Sequence, residues 1–320
     1  MNITVLGCGR WGSFIAWYLN KIGKNVILWG RENSSHMKEL IATRKNKWLN
    51  FDKKITFTTD LNKALSYSKT IIISISAQSL GEFLENIKSA CTQYTNKTFV
   101  LCMKGIEEET CRRLSEVVKF HMGDVNSAVW VGPGHVQDFS NDIPNCMIID
   151  SENKNITKQL VSEFSSPLIR FYYGTDLIGT EIGAAAKNVI GIAAGILDGL
   201  GFESLKGALM SRGAYEISQL IQKAGGNALS AYGLAHLGDY QATLFSPHSN
   251  NRKFGESLAL GQKYSDLAEG AYTSCALIKM GEALGVELPI CSAVNTAIER
   301  GKVDDNDVRD LFIRKIKHEF

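Results

Sequence analysis

The first half of the chain alternates two kinds of apolar pattern, and the second half shows only one. Residues 3–6 (Ile-Thr-Val-Leu) are a short apolar run, and residues 11–22 follow with Phe14, Ile15, Tyr18, Leu19 and Ile22 at helical spacing. Residues 25–29 (Asn-Val-Ile-Leu-Trp) complete a strand, helix, strand unit. Residues 70–75, 98–102, 128–131 and 146–149 are near-continuous apolar runs, as parallel strands covered on both faces require, and 169–172 reads as an edge strand. Strand signals then stop. From about residue 181 the spacing is helical, over 183–200, 205–224, 255–260, 271–284 and 308–316. The expected fold class is α/β, with a doubly wound parallel sheet over residues 1–180 followed by an all-α C-terminal domain over residues 181–320.

The turn after the first run reads Gly7-Cys8-Gly9-Arg10-Trp11-Gly12. In a strand-to-helix context this spacing has a mechanical meaning. Gly7 makes the tight turn, Gly9 lets backbone approach a pyrophosphate, and Gly12 lets the helix pack closely on the strand. A phosphate then meets the free N–H groups of the following helix, so the first domain is expected to be of Rossmann type and to bind a dinucleotide. About twenty residues on, where an acidic residue usually holds a ribose 2′-hydroxyl, stands Gly30-Arg31. A small residue followed by a guanidinium suits a 2′-phosphate and favours NADP(H). Glu32, one position later, keeps NAD(H) open.

Composition narrows the class without redirecting it. A chain of 320 residues is long enough for two cores, and a net charge of +2 argues against nucleic acid and against an anionic membrane surface. The seven cysteines are odd in number, scattered, and form no C-x-x-C pair, so buried free thiols in a reducing cytosol are expected. The chain opens on a strand after one polar residue, which argues against a leader peptide. The apolar stretch 189–197 ends at Asp198 and reads as too short to span a bilayer. The basic run Arg44-Lys45-Asn46-Lys47 reads as a solvated loop. A cytoplasmic enzyme needing no metal is the expectation.

Two lysines stand out for chemistry. Lys104 follows the strand at 98–102, on the side of an open sheet where ligands bind. Lys187 lies in Gly183-Ala-Ala-Ala-Lys-Asn-Val189, a helix otherwise made of small and apolar residues, where an ammonium is poorly solvated unless a ligand or an acid meets it. A lysine can polarise a carbonyl and give it a proton.

Taken in order, Gly-x-Gly-Arg-Trp-Gly, Leu28-Trp29-Gly30-Arg31, Met103-Lys104-Gly105-Ile106, Gly132-Pro133, Ala186-Lys187-Asn188-Val189-Ile190, Gly238-Asp239, Asn251-Arg252-Lys253-Phe254-Gly255 and Ala268-Glu269-Gly270 resemble NAD(P)-dependent glycerol-3-phosphate dehydrogenase, in its bacterial biosynthetic form. The resemblance runs from the first strand to about residue 300. It implies reduction of dihydroxyacetone phosphate to sn-glycerol 3-phosphate for glycerolipid synthesis. Lys187 would be the proton donor, Lys104 would bind substrate and polarise its carbonyl, and Asp239 would hold Lys187 and a substrate hydroxyl. Gly132, Asn188, Ser249, Asn251 and Arg252 would bind substrate. Gly7, Gly9, Arg10, Trp11, Gly12, Arg31, Lys104, Val136, Asn250, Leu267 and Glu269 would bind the cofactor, NADP(H) or NAD(H). A homodimer is a candidate assembly.

Two stretches depart from the family pattern. Its Gly-Pro-Ser/Thr-Phe-Ala turn is here Gly132-Pro133-Gly134-His135-Val136, which removes a hydroxyl and adds an imidazole. Its Ser-Arg-Asn-Arg is Ser249-Asn250-Asn251-Arg252, so one arginine is missing and Arg252 is the candidate to cover its role. Both changes fall at the substrate end. They keep open a reductase of another small keto compound and, as a different class, a non-catalytic NADP(H)-sensing protein.

Overall fold

A computed structural model describes residues 1–311, 313, 318 and 319. The chain divides into two compact units, one of Met1–Lys104 with Arg112–Glu181, the other of Gly105–Cys111 with Ile182–Phe320. The first unit is built as β1 (Asn2–Leu6), α1 (Arg10–Lys21), β2 (Asn25–Trp29), α2 (Ser35–Thr43), β3 (Thr56–Thr58), α3 (Leu61–Tyr67), β4 (Thr70–Ile73), α4 (Leu80–Ala90), β5 (Thr98–Leu101), α5 (Leu114–Met122), β6 (Asn126–Val131), α6 (Val136–Ser140), β7 (Asn145–Asp150), α7 (Lys154–Phe164) and β8 (Ile169–Tyr173). Helix α8 (Leu177–Gly199) begins in it and runs on into the second unit, which continues with α9 (Lys206–Lys223), α10 (Asn250–Ala259), α11 (Glu269–Leu284), α12 (Pro289–Arg300) and α13 (Asp305–Arg309).

The eight strands form one sheet in the order β3-β2-β1-β4-β5-β6-β7-β8, and strand order reverses between β1 and β4. This is the doubly wound Rossmann arrangement, whose ligand crevice lies at the reversal. Successive strand residues serve opposite cores. Ile72 and Val100 join Phe14, Ile15, Tyr18 and Leu19 of α1 on one face, while Ile71, Ile73, Phe99 and Leu101 join Leu84 and Ile87 of α4 on the other. Continuous apolar runs are the sequence trace of that two-sided burial.

One pairing differs from the parallel expectation: β6 and β7 run antiparallel. Between them stands only the five-residue α6. A helix that short rises about 7.5 Å and cannot carry the chain back along the length of a strand. Strand β3 was too short to show periodicity, and α12 was not foreseen. Helix α10 starts at Asn250, because Ser249 Oγ accepts the N–H of Arg252 and caps it, rather than at 255. Of the helix expected over 308–316, only 308 and 309 lie in α13, and most of the remainder falls outside the described residues.

Helix α8 is 23 residues long and, by length and composition, apolar enough to cross a membrane, so the short stretch expected at 189–197 underestimates it. It is a core helix, with 89% of its most apolar window buried inside the molecule. All seven cysteines are free, but only Cys8, Cys102 and Cys291 are buried; Cys91, Cys111, Cys146 and Cys275 are half-exposed. Arg44 donates to the carbonyls of Asp52 and Ile55, so that part of the basic run is a local brace.

In the second unit α8 and α10 meet backbone to backbone. A Cβ on Gly195 would lie 1.8 Å from the carbonyl oxygen of Arg252, and one on Gly255 would lie 2.0 Å from that of Ile192. Neither obstacle is a flexible side chain, so the helices would have to separate. Gly195→Ala and Gly255→Ala are each expected to cost about 1–3 kcal/mol in chemical denaturation. Gly207→Ala, on the exposed side of α9 with nothing within 4 Å, should instead gain about 0.5–1 kcal/mol. Wild-type stability in Gly195→Ala would rule out the close approach.

Candidate active site

In the first unit the glycine loop does three separate jobs. Gly7 has φ +114°, and a Cβ there would lie 2.1 Å from the carbonyl oxygen of Ser74, at the end of β4. A Cβ on Gly12 would lie 2.0 Å from the carbonyl oxygen of Gly7, so helix and turn are packed together. Above Gly9 nothing lies within 4 Å of that position. Gly9 is the N-cap of α1, no side chain caps it, and the first turn carries no acid. Uncrowded space over an uncapped helix start fits a pyrophosphate. Arg10 is exposed, while Trp11 is half-buried and packs on Phe14 at 5.0 Å between ring centroids. Arg31 and Glu32 are both exposed at the end of β2, and Ser34 N–H closes their turn onto the Arg31 carbonyl at 2.9 Å.

Lys104, just past β5, donates from Nζ to the carbonyl oxygen of Gly132 at 2.7 Å, so these two expected substrate residues are brought together. Gly134 has φ +144°, and a Cβ there would lie 2.4 Å from the Phe139 ring. That ring is fully buried and stacks on Phe14 at 4.9 Å. A side chain at 134 would therefore meet both the Phe139 ring and an unfavourable backbone angle. Val136 is 2% exposed, its side chain spent on the core, so only its backbone could meet a cofactor.

In the second unit Lys187 is 8% exposed. Its Nζ lies 3.1 Å from Asp239 Oδ2 and donates to Thr243 Oγ1 at 2.7 Å. Thr243 in turn donates to the Asp239 carbonyl at 2.8 Å. Thr243 sits in a π-helical turn, Gln241–Phe245, and was not foreseen; its one sequence signal is the i, i+4 spacing from Asp239. His236 was also missed. Its Nδ1 faces the Gly183 carbonyl at 2.8 Å and must carry the proton, while Nε2 accepts from Tyr240 OH at 2.7 Å. Burial pushes its pKa down to about 4 and pushes the Tyr240 phenol well above its ordinary value.

The remaining expected residues separate into two groups. Asn251 Nδ2 donates to Asn188 Oδ1 at 3.0 Å, its Oδ1 accepts the Gly270 N–H at 3.0 Å beside Glu269, and Asn250 reaches the Leu267 carbonyl at 3.4 Å. Arg252 turns elsewhere. Its Nη1 lies 2.5 Å from Asp198 Oδ2 and its Nε donates to the Ser246 carbonyl at 3.2 Å, while Lys206 meets the other Asp198 oxygen at 2.6 Å.

A sheet unit with a nucleotide-type loop and a helical unit with a held ammonium divide labour as NAD(P)-dependent dehydrogenases do. Residues 2–157 match the N-terminal and residues 176–306 the C-terminal family description of NAD-dependent glycerol-3-phosphate dehydrogenase. The enzymes named glycerol-3-phosphate dehydrogenase [NAD(P)+] from Pelodictyon phaeoclathratiforme and Thermoanaerobacter sp. are 35% and 33% identical, over 100% of this chain and 99% of theirs. The crystal structure of glycerol-3-phosphate dehydrogenase from Coxiella burnetii superposes with a TM-score of 0.89 at 28% identity, covering 98% of this chain and 99% of that one. That from Saccharomyces cerevisiae, at 19% identity and a TM-score of 0.82 over 98% of this chain and 99% of its own, shares the fold. The chain belongs to the NAD-dependent glycerol-3-phosphate dehydrogenase family.

The buried imidazole makes stability depend on pH. The unfolded chain takes up the His236 proton near its ordinary pKa of 6.5, the folded chain only near 4, so protonation favours unfolding across that interval. Stability is fully present above about pH 6.5 and falls toward pH 4. Relative to His236→Gln, which does not titrate there, the wild type should lose about 2–4 kcal/mol between those limits. Parallel denaturation curves for the two proteins at every pH would refute a buried neutral His236.

Proposed function

We propose that this chain reduces dihydroxyacetone phosphate to sn-glycerol 3-phosphate with NAD(P)H, supplying the glycerolipid backbone. The observation that carries the reading is the Lys187 ammonium, buried and held by Asp239 and Thr243. When bound, the nicotinamide supplies the hydride. Lys187 delivers a proton from Nζ to the carbonyl oxygen as negative charge develops there, and Asp239 keeps the ammonium charged and aimed until then. Lys104 binds substrate and polarises its carbonyl, with Gly132, Asn188, Ser249 and Asn251 completing the substrate contacts. Arg252 acts through Asp198 by fixing the start of α10, which presents Ser249, Asn250 and Asn251. Gly9, Arg10, Trp11 and Arg31 hold the nucleotide with Asn250, Leu267, Glu269 and the backbone of Val136. NADP(H) is the preferred form through Arg31.

A second reading, a reductase of another small keto compound, draws on the commitment of Arg252 to Asp198 while Asn250 stands in the place of the family arginine. Comparing kcat/KM for dihydroxyacetone phosphate with that for dihydroxyacetone decides between them. A strong preference for the phosphate is expected, and equal treatment would overturn the first reading.

Lys187→Ala should retain nucleotide binding and lose about 10²–10⁴ in kcat. Wild-type turnover would remove Lys187 from the mechanism. Arg31→Ala should weaken NADPH about ten- to a hundredfold with little effect on NADH, as titration of protein fluorescence would show. Equal losses for the two nucleotides would defeat the 2′-phosphate assignment.

A further inference from the structure

The end of β2 carries a constraint that the glycine fingerprint does not contain. A Cβ built on Gly30 would lie 2.4 Å from Cys8 Sγ, 2.9 Å from Met37 Cε and 3.1 Å from Cys8 Cβ. Cys8 is 6% exposed, and its sulfur also lies 3.4 Å from Ser34 Oγ, the group that caps α2 by accepting the Met37 N–H at 3.4 Å. Thiol, cap and the fully buried Met37 thus close over residue 30 from one side, while Arg31 stands exposed beside it.

We propose that Cys8 holds residue 30 to glycine and so closes this chain to the NAD(H)-selecting carboxylate: its thiol fills the space that a side chain at residue 30 would need to place a carboxylate on a ribose 2′-hydroxyl. The inference rests on the reading of Arg31 as the 2′-phosphate ligand and adds a second, steric determinant to it. A carboxylate selects NAD(H) by accepting from the 2′-hydroxyl and by repelling a 2′-phosphate. At residue 30 its Cβ would displace the sulfur before its oxygens could act. The Met37 contact is the far end of a flexible side chain and can give way; relief at Cys8 needs its sulfur to leave its place beside Ser34, and the Cys8 Cβ, fixed to the backbone of the turn, still lies 3.1 Å away.

The experiment compares wild type, Gly30→Asp, Cys8→Ala and the double variant, by thermal unfolding without nucleotide and by Kd for NADPH and NADH. Gly30→Asp alone should lower Tm by about 3–8 °C and weaken both nucleotides. Cys8→Ala/Gly30→Asp should recover at least half of that loss, and its Kd ratio of NADH to NADPH should fall at least tenfold below that of wild type. The proposal is overturned if Gly30→Asp keeps the wild-type Tm and already switches preference, or if the double variant is as unstable as the single one while Cys8→Ala alone is sound. Equal binding of both nucleotides by wild type would defeat the Arg31 reading and with it any role of Cys8 in choosing between them. The unfolding arm contains no nucleotide, so it reports the clash between residues 8 and 30 separately from that failure.

Discussion

An ammonium cannot be taken out of water alone, and much of the second unit answers that requirement at Lys187. Born desolvation of a lone charge is costly, and an opposite charge beside it offsets much of that cost. Asp239 provides it, and Asp239 is itself buried, which obliges the turn around it to supply hydrogen bonds. The π-helical turn brings Thr243 within reach of both partners, with its hydroxyl donating to the Asp239 carbonyl and accepting from Lys187. His236 and Tyr240 continue the network to the α8 backbone at Gly183, four residues before Lys187. A neutral imidazole suits this place, because a second cation beside the ammonium would compete for the same carboxylate.

The same rule repeats around Asp198, with a structural outcome. Two cations, Lys206 and Arg252, share one carboxylate near the end of α8 and tie α9 and α10 to it. Glu216 of α9 takes the N–H groups of Ile290 and Cys291 at the start of α12. A carboxylate on α8 thus anchors α9 and α10, and a buried one on α9 anchors α12. This accounts for how a unit without strands among its described residues fixes the ends of its helices.

The sheet was legible because two-sided burial leaves a near-continuous apolar run, and that pattern marked β1, β2, β4, β5, β6 and β7, while β8 showed the alternation of an edge strand. β3 escaped because Thr-Phe-Thr is too short to have a period. The direction of β7 escaped because orientation is set by the length of α6, which composition does not reveal. In the candidate site, Lys187 announced itself by being charged in an apolar helix and Lys104 by following a strand on the side of the sheet where ligands bind, while Asp239 entered through family resemblance. Thr243, His236 and Tyr240 gave no comparable signal, since they lie in turns without periodicity and the α8 groups they meet, Lys187 and Gly183, are distant in sequence. Arg252 shows the converse: its place in the motif suggests substrate, and the structure adds an ion pair of its guanidinium with Asp198, a pairing that a linear reading cannot see.

The Gly134 turn bears on how the chain could change with time. A glycine at 134 and the Phe139 ring, whose edge would lie 2.4 Å from a Cβ built there, hold one another in place. Restoring a serine at 134 meets an aromatic wall stacked on Phe14 and a backbone angle that side chains rarely adopt. Moving Phe139 first would open a cavity in the core with nothing at glycine to fill it. The two positions are therefore coupled: a hydroxyl-bearing residue at 134 requires a change at 139 as well, so the turn is not restored by a single substitution.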